Sequence, residues 1–160
     1  MRSINRNKEH ADIIQKLMAK NPDTGVAVFQ HIKALQCFAA IVGYDQGRRV
    51  KLDRGNTENI EWHTFENTKH THYIYLIALA ESNDVNILKY NVETSESSPS
   101  GEDMDMVRIF EEYANGGFEI IRGWLSKSPG DPYGDKALLV AMEKAGYLKK
   151  DEQEFSEVEF

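Results

Sequence analysis

Hydrophobic residues recur along most of the chain at intervals of three and four positions, which is the spacing of an amphipathic helix. The segment 25–44 is nearly apolar over its last two turns, so we expect this helix at the centre of the core. The pattern predicts helices over residues 7–20, 25–44, 62–82, 102–127 and 134–147.

Two features modify this helical pattern. Gly116-Gly117 lies inside the segment 102–127, and because glycine costs about 1 kcal/mol relative to alanine in a helix interior, the pair marks either a break or a close helix contact. We expect a break, and therefore two consecutive helices in that segment. Residues 50–52 and 60–62 alternate weakly between apolar and polar, so a short two-stranded β element is expected near residues 50–62.

The predicted fold class is mainly α, with a single compact helical domain of five to six helices over residues 1–150. Residues 91–101 are rich in Ser and Glu and contain a proline, which is typical of a surface loop. Residues 151–160 form an acidic tail that we expect to be flexible.

Net charge changes the picture of the surface. The chain carries −7 at neutral pH, which argues against a generally basic nucleic-acid binder. The charge is unevenly distributed, because residues 1–72 carry +3 and residues 73–160 carry −10. We interpret the Glu111-Glu112 pair in the acidic half as part of a solvated helix face.

The cysteine content and the apolar runs bear on the compartment. The chain has one cysteine, Cys37, which cannot form an internal disulfide and so favours a reducing environment. The N-terminal residues lack the apolar stretch of a signal peptide, and the longest apolar runs fall short of the roughly 20 residues of a membrane span. We therefore expect a cytoplasmic protein with no membrane partner.

No established catalytic motif is present. Cys37 lies in an apolar segment that would raise its pKa and keep it unreactive, and neither a serine elbow nor a phosphate-binding glycine loop occurs. His63, Glu66, His70 and His72 could bind a divalent metal, which leaves a small metal-dependent nuclease as an alternative. Since His70 and His72 are two positions apart, they point to different faces of a helix. We expect no metal, no cofactor and no enzymatic activity.

The most suggestive feature is a basic loop. Arg48, Arg49, Lys51 and Arg54 occupy seven residues, and Lys69 follows nearby in the sequence. Such a cluster suits the phosphate oxygens of a nucleic acid, which arginine can bind through two hydrogen bonds. The alternative is that these arginines pair with carboxylates of the acidic second half inside one fold. We predict DNA binding by these five residues and leave internal pairing open.

Several segments carry a resemblance to a known family. Four segments, over roughly residues 8–127, resemble segments of the DNA phosphorothioation (Dnd) system-associated protein 4 family. They are VFQHIKALQCFAAIVGYDQGRRVKL, IEWHTFEN, YLIALAESNDVNIL and RIFEEYANGGFEIIRGWL. The resemblance implies gene neighbourhoods that replace a DNA backbone oxygen with sulfur and restrict unmodified DNA. It brings no established catalytic residues with it.

The resulting hypothesis is a non-catalytic accessory protein of a bacterial anti-phage defence system. It would bind DNA through the basic loop, or bind another protein of the same system. One alternative is an acidic adaptor, or a DNA mimic that inhibits a nuclease. Self-association into a homo-oligomer stays open, because the sequence does not determine oligomeric state.

Overall fold

The computed structural model describes residues 2–88 and 105–149. Within these residues the chain forms six α-helices and one two-stranded sheet, so the predicted mainly α fold of five to six helices is confirmed. In chain order the elements are β1 (Ile4–Asn7), α1 (Ala11–Met18), α2 (Ile32–Asp45), β2 (Thr57–Ile60), α3 (Trp62–Asn67), α4 (Thr71–Ser82), α5 (Met106–Ser126) and α6 (Asp135–Lys144).

Helix α5 forms the centre of the fold. It begins at Met106, where the Asp105 side chain caps it by accepting hydrogen bonds from the backbone N–H groups of Val107 and Arg108. Residues 109–118 are all buried. Since a helix buried on every side needs neighbours all round, the other elements are arranged about this segment.

The predicted break at Gly116-Gly117 is wrong, because α5 runs without interruption through both glycines. A Cβ atom at Gly117 would lie 1.7 Å from the carbonyl oxygen of Ala39, and one at Gly116 would lie 1.9 Å from that of Arg48. A Cβ atom at Gly43 of α2 would likewise collide with the carbonyl oxygen of Tyr113 on α5. The glycines therefore allow backbone-to-backbone packing, and they do not end the helix.

The two-stranded sheet is confirmed near residues 50–62, but the predicted partner strand is wrong. β2 pairs antiparallel with the N-terminal strand β1, with Ile4 opposite Ile60 and Asn7 opposite Thr57. Residues 50–52 form no strand, because the N–H of Val50 donates to the carbonyl oxygen of Glu112 on α5 at 3.0 Å. The backbone of this segment is thus paired with a helix.

Two other helix boundaries differ from the prediction. The segment 62–82 divides into α3 and α4, because Lys69 between them has a left-handed backbone with φ of 62°. The helix predicted from residue 25 begins at Ile32, since the preceding residues pack as a loop in which the N–H of Phe29 donates to the carbonyl oxygen of Leu17.

The predictions for residues 91–101 and for the tail 151–160 fall outside the described residues, so the domain boundary at residue 150 stays a prediction. Over the described part of the chain, the helices are too short or too polar to cross a membrane.

Replacing Gly117 with alanine should lower the free energy of unfolding by about 3 kcal/mol, because the new methyl group must displace the backbone of α2. Gly123→Ala is the matched control in the same helix, where the new Cβ has no atom within 4 Å apart from the neighbouring backbone of α5. The control should raise stability by up to about 1 kcal/mol. Urea unfolding followed by circular dichroism measures both, and equal effects would contradict the close contact.

Candidate functional site

The basic loop, residues 46–56 between α2 and β2, lies along α5 and is held there through its backbone. The amide nitrogen of Asn115 donates to the carbonyl oxygens of Val50 and Lys51, both at 3.2 Å. Gly116 leaves room for the carbonyl group of Arg48. The path of the loop is therefore set by α5 before any of its charged side chains is considered.

Glu111 is a buried carboxylate that joins the N-terminal segment, the basic loop and α5. It is 1% exposed, and Arg2 donates two hydrogen bonds to it at 2.7 and 3.1 Å. Arg54 of the loop donates a third at 3.1 Å, and the backbone N–H of Asn5 a fourth. A buried carboxylate needs such partners, because an unpaired charge in the interior is strongly disfavoured. Burial alone would lower the pKa of Arg2, but the hydrogen bond and charge of Glu111 raise it.

Arg49 lies between carboxylates of two helices. Its Nε is 3.4 Å from Glu112 on α5, and its Nη1 is 3.4 Å from Glu81 on α4. The guanidinium also sits over the ring of Tyr113 at 5.8 Å from the centroid, a distance suited to a cation–π interaction. Tyr113 donates its hydroxyl to Glu81 at 2.6 Å, and burial together with this carboxylate raises the pKa of Tyr113 to about 12.

The remaining predicted site residues are more exposed. Arg48 donates from Nε to Glu119 at 2.8 Å, while its side chain stays 53% exposed. Lys51 is exposed in the loop, and Lys69 is exposed in the turn between α3 and α4. Arg48, Arg49 and Arg54 are therefore in ion pairs with α4 and α5, which is the internal pairing that the sequence left open. DNA binding by the five residues stays a prediction.

The interpretation of Glu111-Glu112 as a solvated face is wrong, because both residues are buried. Their burial follows from the loop and the N-terminal strand lying over α5, contacts that join residues far apart in sequence. One signal was present: both glutamates sit inside the run Phe110 to Tyr113, where the apolar pattern points into the core. An acid in such a run indicates a paired charge.

A second buried polar group reinforces the junction of α1, α5 and the loop. His10 is stacked on Phe118 with ring centroids 4.9 Å apart, and its Nε2 is 2.6 Å from Oδ1 of Asn115. Because the amide nitrogen of Asn115 already donates to the loop, Oδ1 must accept, so Nε2 of His10 carries the proton. Asn115 thereby connects the N-terminal segment to the loop.

The histidine-rich segment does not bring together the residues of the metal site that was the alternative from the sequence. His63, Glu66 and His72 are exposed, and Nδ1 of His70 lies 2.8 Å from the hydroxyl of Thr68. Across residues 2–88 and 105–149, no three His, Cys, Asp or Glu side chains converge as metal binding requires.

Comparison with known proteins gives one family. The family model described as DNA sulphur modification system-associated protein 4 matches residues 3–160. The match extends beyond residues 8–127, over which the sequence segments carry the resemblance. No curated protein and no solved structure matches the chain.

Replacing Glu111 with glutamine should lower the free energy of unfolding by about 2 kcal/mol, because the partly exposed Arg2 and Arg54 both lose the buried charge that compensates them. Glu119→Gln is the matched control, since it removes the same charge from the same helix at a side chain that is 33% exposed. The control should change stability by less than about 1 kcal/mol. Similar losses in urea unfolding would contradict a special role for Glu111.

Cys37 should react slowly in the folded protein. Burial raises the pKa of its thiol to about 12, so thiolate is scarce near neutral pH. Labelling with iodoacetamide at about pH 8 should be at least about tenfold slower in buffer than in urea. Equal rates in the two solvents would show that Cys37 is accessible.

Proposed function

This chain belongs to the DNA sulphur modification system-associated protein 4 family, and on that premise we propose that it is a non-catalytic accessory protein that acts by binding another protein of the same system. The observation that carries the proposal is the use of the loop arginines inside the fold. Arg48, Arg49 and Arg54 each pair with a carboxylate of α4 or α5, so their charge is largely neutralised.

The energetics of these pairs favour a protein partner over DNA at the loop. A phosphate that recruited Arg54 would draw it from Glu111, and one that recruited Arg49 would draw it from Glu112. Both carboxylates are buried, so withdrawing an arginine removes a partner from a buried charge. The cost is below that of breaking a fully buried pair, because the Arg54 side chain is 38% exposed and the Arg49 side chain 22% exposed. The loop is therefore suited first to hold the fold together.

DNA binding is the second candidate function, and the exposed basic residues favour it. Arg48 is half exposed and pairs at the surface, where an ion pair contributes about 1 kcal/mol or less and a phosphate can replace Glu119. Lys51 and Lys69 are exposed as well. In this version the backbone of a duplex contacts all five predicted residues: Arg48, Arg49, Lys51, Arg54 and Lys69.

The proposal also includes a role in anti-phage restriction of unmodified DNA, which the family resemblance implies. It includes a cytoplasmic location as well, which the single cysteine favours. The acidic adaptor and the DNA mimic are variants of it, because both act by binding a protein. They differ in whether the partner's DNA is displaced.

The protein-binding proposal predicts that the full chain binds at least one purified protein of its own DNA sulphur modification system. Pairwise titration at physiological salt should give a roughly micromolar or tighter dissociation constant for that pair. If a partner binds, adding duplex DNA distinguishes an adaptor, which leaves the DNA bound, from a mimic, which displaces it. If the chain binds none of the purified proteins of its system, the proposal is wrong.

The DNA-binding candidate predicts that the chain itself binds a duplex. Its affinity is measured with phosphorothioated and with unmodified duplexes. Replacing both Lys51 and Lys69 with glutamate should weaken binding and reduce the slope of log K against log salt by about 1 per lysine. Lys136→Glu, on the exposed side of α6, is the control. Under the protein-binding proposal, the unaltered chain, the double lysine variant and the control all bind duplex equally weakly.

A further inference from the structure

An apolar groove lies between α2 and α4, and the arginines of the basic loop are not among its lining residues. It encloses about 190 Å³. Its lining comes from one face of α2 and from the first turn of α4 with the residue before it: Ala34, Cys37, Phe38, Ile41, His70 and Tyr73.

The surface around this groove exposes large apolar side chains. Ile41 and Tyr73 are each 40% exposed, and Leu76, one turn beyond Tyr73 on α4, is 60% exposed. Residues three positions apart on a helix share a face, so these side chains extend the groove along α4. A contiguous exposed apolar surface of this kind is typical of an interaction site.

One end of the groove is positively charged. Burial and the positive charge of Lys33, with a smaller contribution from His31, lower the pKa of His70. The N-terminal ends of α2 and α4 lie together here, because Ala34 in the first turn of α2 and His70 before α4 line the same groove. The Nζ of Lys33 is 3.4 Å from the carbonyl oxygen of Thr64 on α3. The positive ends of the two helix dipoles add to the charge of Lys33 there.

Beyond the other end of the groove the charge is compensated. Tyr44, near the end of α2, packs edge-on against Tyr113 with ring centroids 5.4 Å apart, and Tyr113 donates a hydrogen bond to Glu81 near the end of α4. Glu81 also pairs with Arg49 of the basic loop. Within the described residues, uncompensated positive charge is therefore a property of the Lys33 end, and this asymmetry favours one direction of binding for a charged partner.

We propose that this groove binds an amphipathic helix of another protein of the same DNA sulphur modification system. Its apolar side chains occupy the groove, and its carboxylates face His31 and Lys33. From Ala34 to Ile41 the wall of α2 spans two helical turns, or roughly 10.5 Å. That length accommodates apolar residues of the partner at positions i, i+3 or i+4, and i+7. The inference rests on the protein-binding function proposed above.

Site-specific crosslinking tests the location. A benzophenone amino acid replaces Leu76 in the full chain, and a second variant carries it at Leu139 on α6, which is 51% exposed. Each variant is irradiated with the purified proteins of the system, and the crosslinked peptides are identified by mass spectrometry. We expect a crosslink from position 76, and none from position 139, to a helical segment that combines apolar and acidic residues.

Affinity measurements with the partner so identified test the chemistry. Leu76→Asp and Lys33→Glu should each weaken binding at least about tenfold, the first by placing a charge on the apolar surface and the second by reversing the charge of the cationic end. Leu139→Asp and Lys136→Glu are the matched controls on α6 and should bind like the unaltered chain. Thermal unfolding of all four variants checks that each is folded.

The outcomes separate this inference from the proposed function. If a protein of the system binds but Leu76→Asp and Lys33→Glu bind it normally, the groove is wrong and the proposed function stands. A crosslink from position 76 to a second copy of this chain, or to a basic segment, overturns the inference as well. If no protein of the system binds at all, both fail.

Discussion

Glu111 accepts hydrogen bonds from Arg2, from Arg54 and from the backbone N–H of Asn5, and it is almost entirely buried in α5. These donors come from the N-terminal segment and from the basic loop, which also meet directly where the Asn7 side chain donates to the carbonyl oxygen of Asp53. A charge in the interior is tolerated only with such partners. Glu111 therefore ties the N-terminal segment and the basic loop to the central helix at one buried point.

The same interaction determines which surfaces are left to act. The arginines of the loop contribute their charge to α4 and α5, and Asn115 occupies two of the loop's carbonyl oxygens. Charge that is used inside the fold is poorly available to a phosphate backbone. The groove between α2 and α4 is lined by none of these arginines, and its exposed apolar side chains are the surface where we propose that another protein binds.

Much of the fold could be predicted from the sequence, because helical spacing is a local signal. The interpretation of Gly116-Gly117 failed since a single sequence gives the same pattern for a break and for a close contact, and only the position of Ala39 decides between them. β1 was missed because its partner lies about fifty residues away. The pairing of Arg54 with Glu111 is equally non-local, so the sequence indicated the basic cluster but not where its charge is used.

The central claim is that the charge of Arg54 is used inside the fold, where Glu111 engages it. A double-mutant cycle with Arg54→Gln, Glu111→Gln and the double variant tests it most directly, with free energies of unfolding measured in urea. A coupling energy between about 1 and 2 kcal/mol is predicted, because Glu111 is buried while the Arg54 side chain is 38% exposed and partly screened by solvent. A coupling energy near zero would mean that Arg54 is not engaged by Glu111 in solution and is free for another ligand.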